Sequence, residues 1–447
     1  MRAFFLLESG VGVSRSGHEL VAWPRRFGLW MDADMKRFSA LLQGSLLVLG
    51  FTGACSSVGD DAAKEPALPE GCDALVEPGA EAFTELLGAL MDAQPGQTVC
   101  MGEGTFDFVD ELSISGNGVT LKGAGRDKTI LDFSGQQDGA NGVKISGDDV
   151  TITALTVQET PGDGIRGDEV NNITYEDVAV KWGAQASTDN GAYGFYPVGC
   201  DGVTIRNSLV VGARDAGIYV GQSKNVLVED SEAYGNVAGV EFENTTDATI
   251  RRTHAHDNTA GILIFNLPGL PVKNGQRTLA YDNIVENNNV PNFGEAGTVV
   301  ALVPPGIGFM ILAADNNEIR NNQISGNDSN GVLIVEYTDM LFSTYDDPEF
   351  NIFAEGNYVH GNTFSGNGMK PDPLILTVTG GKNPSADMLL DGCTDPALDN
   401  ADGALSNCFT GNGAATFLNF DLCGQAGMMI EDIESVNCTH TPLVGRT

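Results

Sequence analysis

Gly217-Ile218-Tyr219-Val220, Gly239-Val240-Glu241-Phe242 and Gly261-Ile262-Leu263-Ile264 say one thing three times, at successive intervals of 22 residues. Between them lie shorter apolar alternations, Val203-Thr204-Ile205, Val226-Leu227-Val228 and Ala248-Thr249-Ile250. Each is followed by a polar step: Asn207-Ser208, Asp230-Ser231 or Arg252-Thr253. A fixed period of this size is the signature of a repeat architecture. The unit holds no helical run; it reads as short period-two strands broken by Gly, Asn and Asp turns. A four-residue strand cannot bury its apolar face alone. Coiling the chain and stacking each turn on the last gives all the strands one shared apolar interior. The expected fold is therefore all-β, a parallel β-helix with about 22 residues per coil.

The same rhythm extends outward, with Gly142 and Gly164 22 residues apart, and Gly194 and Gly217, like Gly308 and Gly331, 23 apart. The wider gaps from 164 to 194 and from 261 to 308 read as coils carrying insertions, which solenoid corners tolerate because closure entropy grows slowly with loop length. Residues 266–307, with Pro268, Pro271, Pro291, Pro304, Pro305 and the apolar run Val299–Val303, form one long loop; residues 338–353 form another. Such loops either carry function or shield a flank of the cylinder, and the sequence leaves both readings open.

The expected organisation is an upstream leader and export signal over 1–54, a polar tether over 55–70, an N-terminal cap over 71–110, coils over 111–368, and a cap and tail over 369–447. In the first cap Phe83, Leu86, Leu87, Leu90 and Met91 recur at helical spacing, as expected of a short helix covering the open end of the solenoid. Met35-Lys36-Arg37, an apolar stretch to Phe51, and Thr52-Gly53-Ala54-Cys55 resemble a lipoprotein signal. The resemblance implies lipidation of Cys55 and a chain anchored at the bacterial cell envelope, in the outer membrane. Seven cysteines remain, and export makes disulfides plausible. Cys72 and Cys100 bracket the N-terminal element, Cys393 with Cys408 and Cys423 with Cys438 are one pairing open to the tail, whose connectivity the sequence leaves undecided, and Cys200 is expected to be a buried free thiol.

The 447-residue chain carries a formal charge of −36. This disfavours nucleic acid and anionic headgroups as partners, so the membrane enters only through the lipid anchor. In each Gly-apolar-x-apolar strand the x side chain points away from the interior, and stacking places these residues about 4.8 Å apart in one row. The row is Lys144, Arg166, Tyr196, Tyr219, Glu241, Leu263, Met310 and Leu333, with Asp168, Glu243 and Phe265 one step further along. Facing water, it would offer rings to stack on sugars and charges to fix hydroxyls. The candidate substrate-binding residues are Arg166, Lys181, Tyr196, Arg214 and Tyr219. The candidate acid–base residues are Asp215, Glu241 and Glu243, with Asp163 nearby, since crowded carboxylates raise one another's pKa. The bland alternative is a solvated face, because every such solenoid must put something there.

His254 and His256, two apart before Asp257, aim to one side; two imidazoles can hold a transition metal, but no third ligand is visible and they read as surface histidines, with no metal assigned. Asn207, Asp230, Asn287 and Asn321 recur at one station of the unit and are expected to form a hydrogen-bonded ladder along a turn. Haem, zinc-helix, nucleophile-elbow and phosphate-loop motifs are absent from the sequence.

The lipobox at Cys55, the Pro95-Gly96 to Phe106 opening, the coils from Gly142 to Gly331, and the stretches Asn357–Asn367 and Asn412–Phe417 together resemble the right-handed parallel β-helix repeat lipoproteins. That group lies in the pectate-lyase-like superfamily. The segment 194–236 is similar in rhythm to mannuronan epimerase coils, although the Asp-Pro-His-Asp tetrad expected near Pro197 is missing. The motifs of that group specify fold rather than activity; the outward row leads to the expectation of a monomeric envelope protein binding an extended polysaccharide, with Ca2+ as a bridging cation if the ligand is a polyuronate. The resemblance leaves open a polyuronate lyase, hydrolase or epimerase, and a non-catalytic structural, metal-handling or envelope-protein-docking role.

Overall fold

A computed structural model describes residues 68–183, 186–338 and 345–447. The leader, the signal and Cys55 lie outside them. Among the described residues every pairing between named strands is parallel, apart from one isolated antiparallel bridge from Asn419 to Ile430, and the strands form two long sheets that the chain visits in turn. One coil runs through Asp201–Arg206, Leu209–Val211 and Ala216–Gly221; the next runs through Lys224–Glu229, Glu232–Tyr234 and Ala238–Glu243. Their registers place Val203 on Val226, Val210 on Ala233 and Ile218 on Val240. The repeat thus maps residue for residue onto rungs, and the interior is a stack of like side chains. Val143, Ile165, Phe195, Ile218, Val240, Ile262, Phe309 and Val332 lie within 1 % of full burial.

The recurring glycines have a packing reason. A Cβ built on Gly239 would lie 2.7 Å from the carbonyl oxygen of Gly261 and 2.8 Å from Nδ2 of Asn258. One on Gly261 would lie 2.5 Å from the carbonyl of Gly308. Each rung presses its backbone and an amide onto the glycine of its neighbour, at distances no side chain tolerates.

That amide belongs to a ladder, at a different station from the expected one. Asn207, Asp230, Asn287 and Asn321 adopt left-handed φ near 50° and make the bends. The ladders run through the residues that follow such bends. Asn236, Asn258, Asn288, Asn327 and Asn367 pass side-chain hydrogen bonds of 2.9–3.0 Å from rung to rung. Asn283, Asn322, Asn362 and Asn412 form a second file. The bend turns the next side chain inward, where its amide also binds a backbone carbonyl.

The helix Ala82–Asp92 covers the N-terminal end with Ala82, Leu86 and Leu90, and Phe83 meets the Phe108 ring edge-on at 5.3 Å. Met91, counted on the apolar stripe, is 72 % exposed. The ladders reach past 111–368 in both directions. Ala74–Val76 already pairs with Thr98–Met101, and Met388–Leu390 and Phe417–Asn419 continue the second sheet within the cysteine-rich tail. The tail pairings are Cys393–Cys423 and Cys408–Cys438 rather than the sequential option. Cys408 sits on a rung strand against Tyr358, so its partner is the segment folded back over that rung. Cys72 and Cys100 are bonded, and Cys200 is free and buried. No helix among the described residues is long and apolar enough to cross a membrane.

Candidate active site

The x row was expected to face water along its whole length, and this needs correcting. Lys144, Arg166 and Tyr196 are part-exposed, but Tyr219, Glu241, Leu263, Met310 and Leu333 are each 5 % exposed or less. A second apolar cluster covers them. Val300 and Val303 from the first long loop, Phe350 from the second, and Ile375, Leu418 and Phe420 from the tail pack onto the outer face of the sheet. The insertions are therefore a roof, and the row passes from open to closed near Tyr219.

At that boundary the polar residues converge. The strands Asp163–Asp168, Tyr193–Val198, Ala216–Gly221 and Ala238–Glu243 are consecutive rungs, with Arg166 beside Tyr196 and Tyr219 beside Glu241. The rings of Tyr193 and Tyr196 stack at 4.4 Å, and Tyr219 meets them at 4.7 Å and 5.0 Å. Arg166 lies 5.0 Å over the Tyr196 ring and reaches Asp168 at 3.2 Å, where Lys144 also approaches at 3.8 Å. The Tyr193 hydroxyl donates to Asp215 at 3.2 Å and the Tyr219 hydroxyl to Glu243 at 2.6 Å. Arg214, just before the Ala216 strand, pairs at 3.1 Å with Glu295 of the roof loop.

Burial is the first cause of the unusual acidity here. It raises Asp215 to about 7, helped by the charge of Glu243 and offset in part by the Tyr193 hydrogen bond. Asp163 rises to about 6 for the same reason, although Arg166 and Arg214 pull it down. Glu241, 4 % exposed and with Oε2 bonded to nothing, is pushed well above the usual carboxylate range by burial and by its neighbours Asp215 and Glu243. Glu243 is also raised by burial, against the Tyr219 hydrogen bond. Tyr196 is pushed up to about 12, again chiefly by burial. Burial therefore raises all three acids, and they lie close enough to titrate as a set.

Arg166, Tyr196, Arg214, Tyr219, Asp215, Glu241 and Glu243 are thus gathered in one place. Lys181 is not. It ends the strand Asn171–Lys181 in the other sheet, opposite Gln158 and Val211, and makes no ion pair among the described residues. Tyr193 was missed by the sequence reading because it lies at the strand's first position, outside the row, though Tyr193-x-x-Tyr196 was a visible aromatic pair. The three carboxyls do not bring three ligand atoms within 4.8 Å of one another, so they form no ready cage for a cation such as Ca2+.

The family described as right handed beta helix region matches residues 141–288, which span the first half of this face. No curated protein matches the chain. Among solved structures, the A-module of mannuronan C-5 epimerase AlgE4 from Azotobacter vinelandii is 17 % identical and superposes with a TM-score of 0.51. The likeness covers 76 % of this chain and 95 % of that one. The A-module of AlgE6 from the same organism, also 17 % identical, covers 76 % and 91 % at 0.46. A family 28 exopolygalacturonase of Yersinia enterocolitica, 12 % identical, covers 75 % and 70 % at 0.47. The first of these is near enough to bear on architecture, and with the family match over 141–288 and the parallel ladders it leads to one conclusion: the chain folds as a right-handed β-helix.

Proposed function

We propose that the chain acts on a polysaccharide, a polyuronate in the first instance, laid along the open half of the row and reacting at the boundary near Tyr219. The observation that carries this reading is the convergence of stacked tyrosines, two arginines and three buried acids of raised pKa at one point of an otherwise plain scaffold. A carboxyl pKa raised by burial is how proteins hold an acid and a base ready at neutral pH. Rings of Tyr196 and Tyr193 suit a pyranose face, and Arg166 suits a uronate carboxylate, which it would neutralise so that the adjoining C–H becomes more acidic. Asp215, with a pKa about 7 and a hydroxyl to relay through, is the group best placed to give or take that proton. Simple docking of a glycan or of an envelope protein would need only a broad patch, with no reason to gather buried acids. In the same reading Cys55 anchors the solenoid to the outer membrane through lipid, and Ca2+ enters only as a bridge to the polyuronate.

The test is incubation of the purified chain with mannuronan, alginate and polygalacturonate, followed by ultraviolet absorbance for unsaturated ends, reducing-end release, and proton NMR for C5 inversion. Turnover that is lost in Asp215→Asn and in Arg166→Ala supports the proposal. Binding without turnover would reduce it to a glycan-binding module, and neither binding nor turnover on any polyuronate would end it.

A further inference from the structure

Away from this face, on the first sheet, the strands Glu232–Tyr234, His254–His256 and Ile284–Glu286 are successive rungs. Parallel register puts Glu232 beside His254, and His256 beside both Tyr234 and Glu286. Strand alternation sends His254 and His256 to the same outer side, their ring centroids 4.1 Å apart. Nε2 of His256 lies 3.0 Å from Glu232, and Nε2 of His254 lies 3.1 Å from Glu286. One atom from each of Glu232, His254 and His256 falls within 4.8 Å of the other two. The third ligand that sequence could not supply comes from the neighbouring coil; Glu286 of the coil after it bonds His254 but lies outside that trio and needs a side-chain rotation to join it.

We propose that Glu232, His254, His256 and Glu286 form a binding site for a divalent transition metal, zinc or copper(II), that clips three rungs of the solenoid together. Two imidazoles with one or two carboxylates are the donor set such ions take, at about 2.0–2.2 Å. Tetrahedral ligand atoms then stand roughly 3.4 Å apart, so the trio needs to close by only a small side-chain rotation. The outer contacts fit as well. Nδ1 of His256 is held by Asp257 at 2.7 Å, the carboxylate–histidine arrangement that aims Nε2 at a metal, and Tyr234 stacks on the same ring at 5.1 Å. Glu286 is steadied by Ser325 of the next rung at 3.2 Å. The histidine side chains are 35 % and 17 % exposed, open enough for an ion to enter yet held in place. A purely structural ion-pair cluster would not need both imidazole Nε2 atoms turned to the same few ångströms. No residue here belongs to the proposed glycan site, so the two ideas stand or fall separately.

Chelator-stripped protein without a histidine tag would be titrated with Zn2+ and Cu2+ by calorimetry, and with Co2+ by visible absorption. The expected result is one equivalent bound at micromolar affinity or tighter, an intense four-coordinate Co2+ band, and a Zn2+-dependent rise in melting temperature. Affinity should fall at least tenfold in His254→Ala, in His256→Ala and in Glu232→Gln. His360→Ala, which removes a histidine elsewhere on the solenoid, should bind as the parent does. Equal circular dichroism spectra would show that the variants fold. No stoichiometric binding in the parent, or binding undiminished in a His254→Ala/His256→Ala double variant, would overturn the proposal.

Discussion

Replacing Asp215 by Asn should stabilise the protein at alkaline pH and leave its stability nearly unchanged in acid. The unfolded chain releases this proton near 3.8, whereas the folded chain keeps it to about 7. Between those values the unfolded state binds fewer protons than the folded one, so stability falls as pH rises, and the loss is complete above about 7. At roughly 1.4 kcal/mol for each pH unit between the two values, the cost at pH 8 has a ceiling of about 4 kcal/mol. Glu241 and Glu243 share the proton and redistribute it once Asp215 is gone, so about half that ceiling is the realistic gain. Asn keeps an oxygen for the Tyr193 hydroxyl, so the swap removes a charge without orphaning a donor. Urea unfolding of parent and variant at pH 4 and pH 8 is the assay. A pH-independent difference, or a variant weaker than the parent at pH 8, would refute the assignment of Asp215 as a buried acid of raised pKa. If the proposed chemistry is right, the stabilised variant is also the inactive one, as expected where a site holds groups in an unfavourable environment.

Glu241→Leu, continuing the apolar run of Leu263, Met310 and Leu333, should stabilise the chain at pH 7 by roughly 1–3 kcal/mol in chemical denaturation, because a carboxyl with an unbonded oxygen is replaced by packing. Asn288→Ala should cost about 2–3 kcal/mol by the same measurement, since it strands both amide groups of Asn258 above and leaves the Asn327 oxygen below with only the backbone N–H of residue 288. Removing Cys393 and Cys423 together should lower stability by about 3 kcal/mol through the unfolded chain's regained freedom over a 30-residue separation, and peptide mapping of the unreduced parent should recover 393 with 423, not with 408. Asp391, buried and raised to about 7 chiefly by burial, accepts backbone N–H groups of Glu336 and Cys393 on its two oxygens, so Asp391→Asn, which orphans one of them, should be weaker than the parent at pH 4 in urea unfolding and the deficit should shrink above pH 7.

Much of the architecture was open to reading because it is periodic. Gly217, Gly239 and Gly261 recur at the spacing of the coil, and each is needed where the next rung's carbonyl comes too close for a Cβ. Ile218, Val240 and Ile262 face inward by strand alternation alone, so their stacking follows from local pattern. The amide ladder was visible as a recurring polar step, though its station was missed by one residue, because a left-handed bend at Asn287 or Asn321 turns the following side chain inward and alternation does not anticipate it.

Period and alternation by themselves decided that this chain winds into stacked parallel coils with one apolar interior, and which side chains leave it. What lies on top of those outward side chains was decided only by tertiary structure. Tyr219 and Glu241 hold equivalent places to Tyr196 and Arg166, yet one pair is roofed by Val300, Val303 and the tail while the other stays open. Loops and tails that return across many coils have no period to betray their path, and the acidity of Asp215, the pairing of Cys408 and the meeting of His254 with Glu232 and Glu286 all depend on that path or on contacts between rungs. Those contacts join residues that are near in space and distant in sequence.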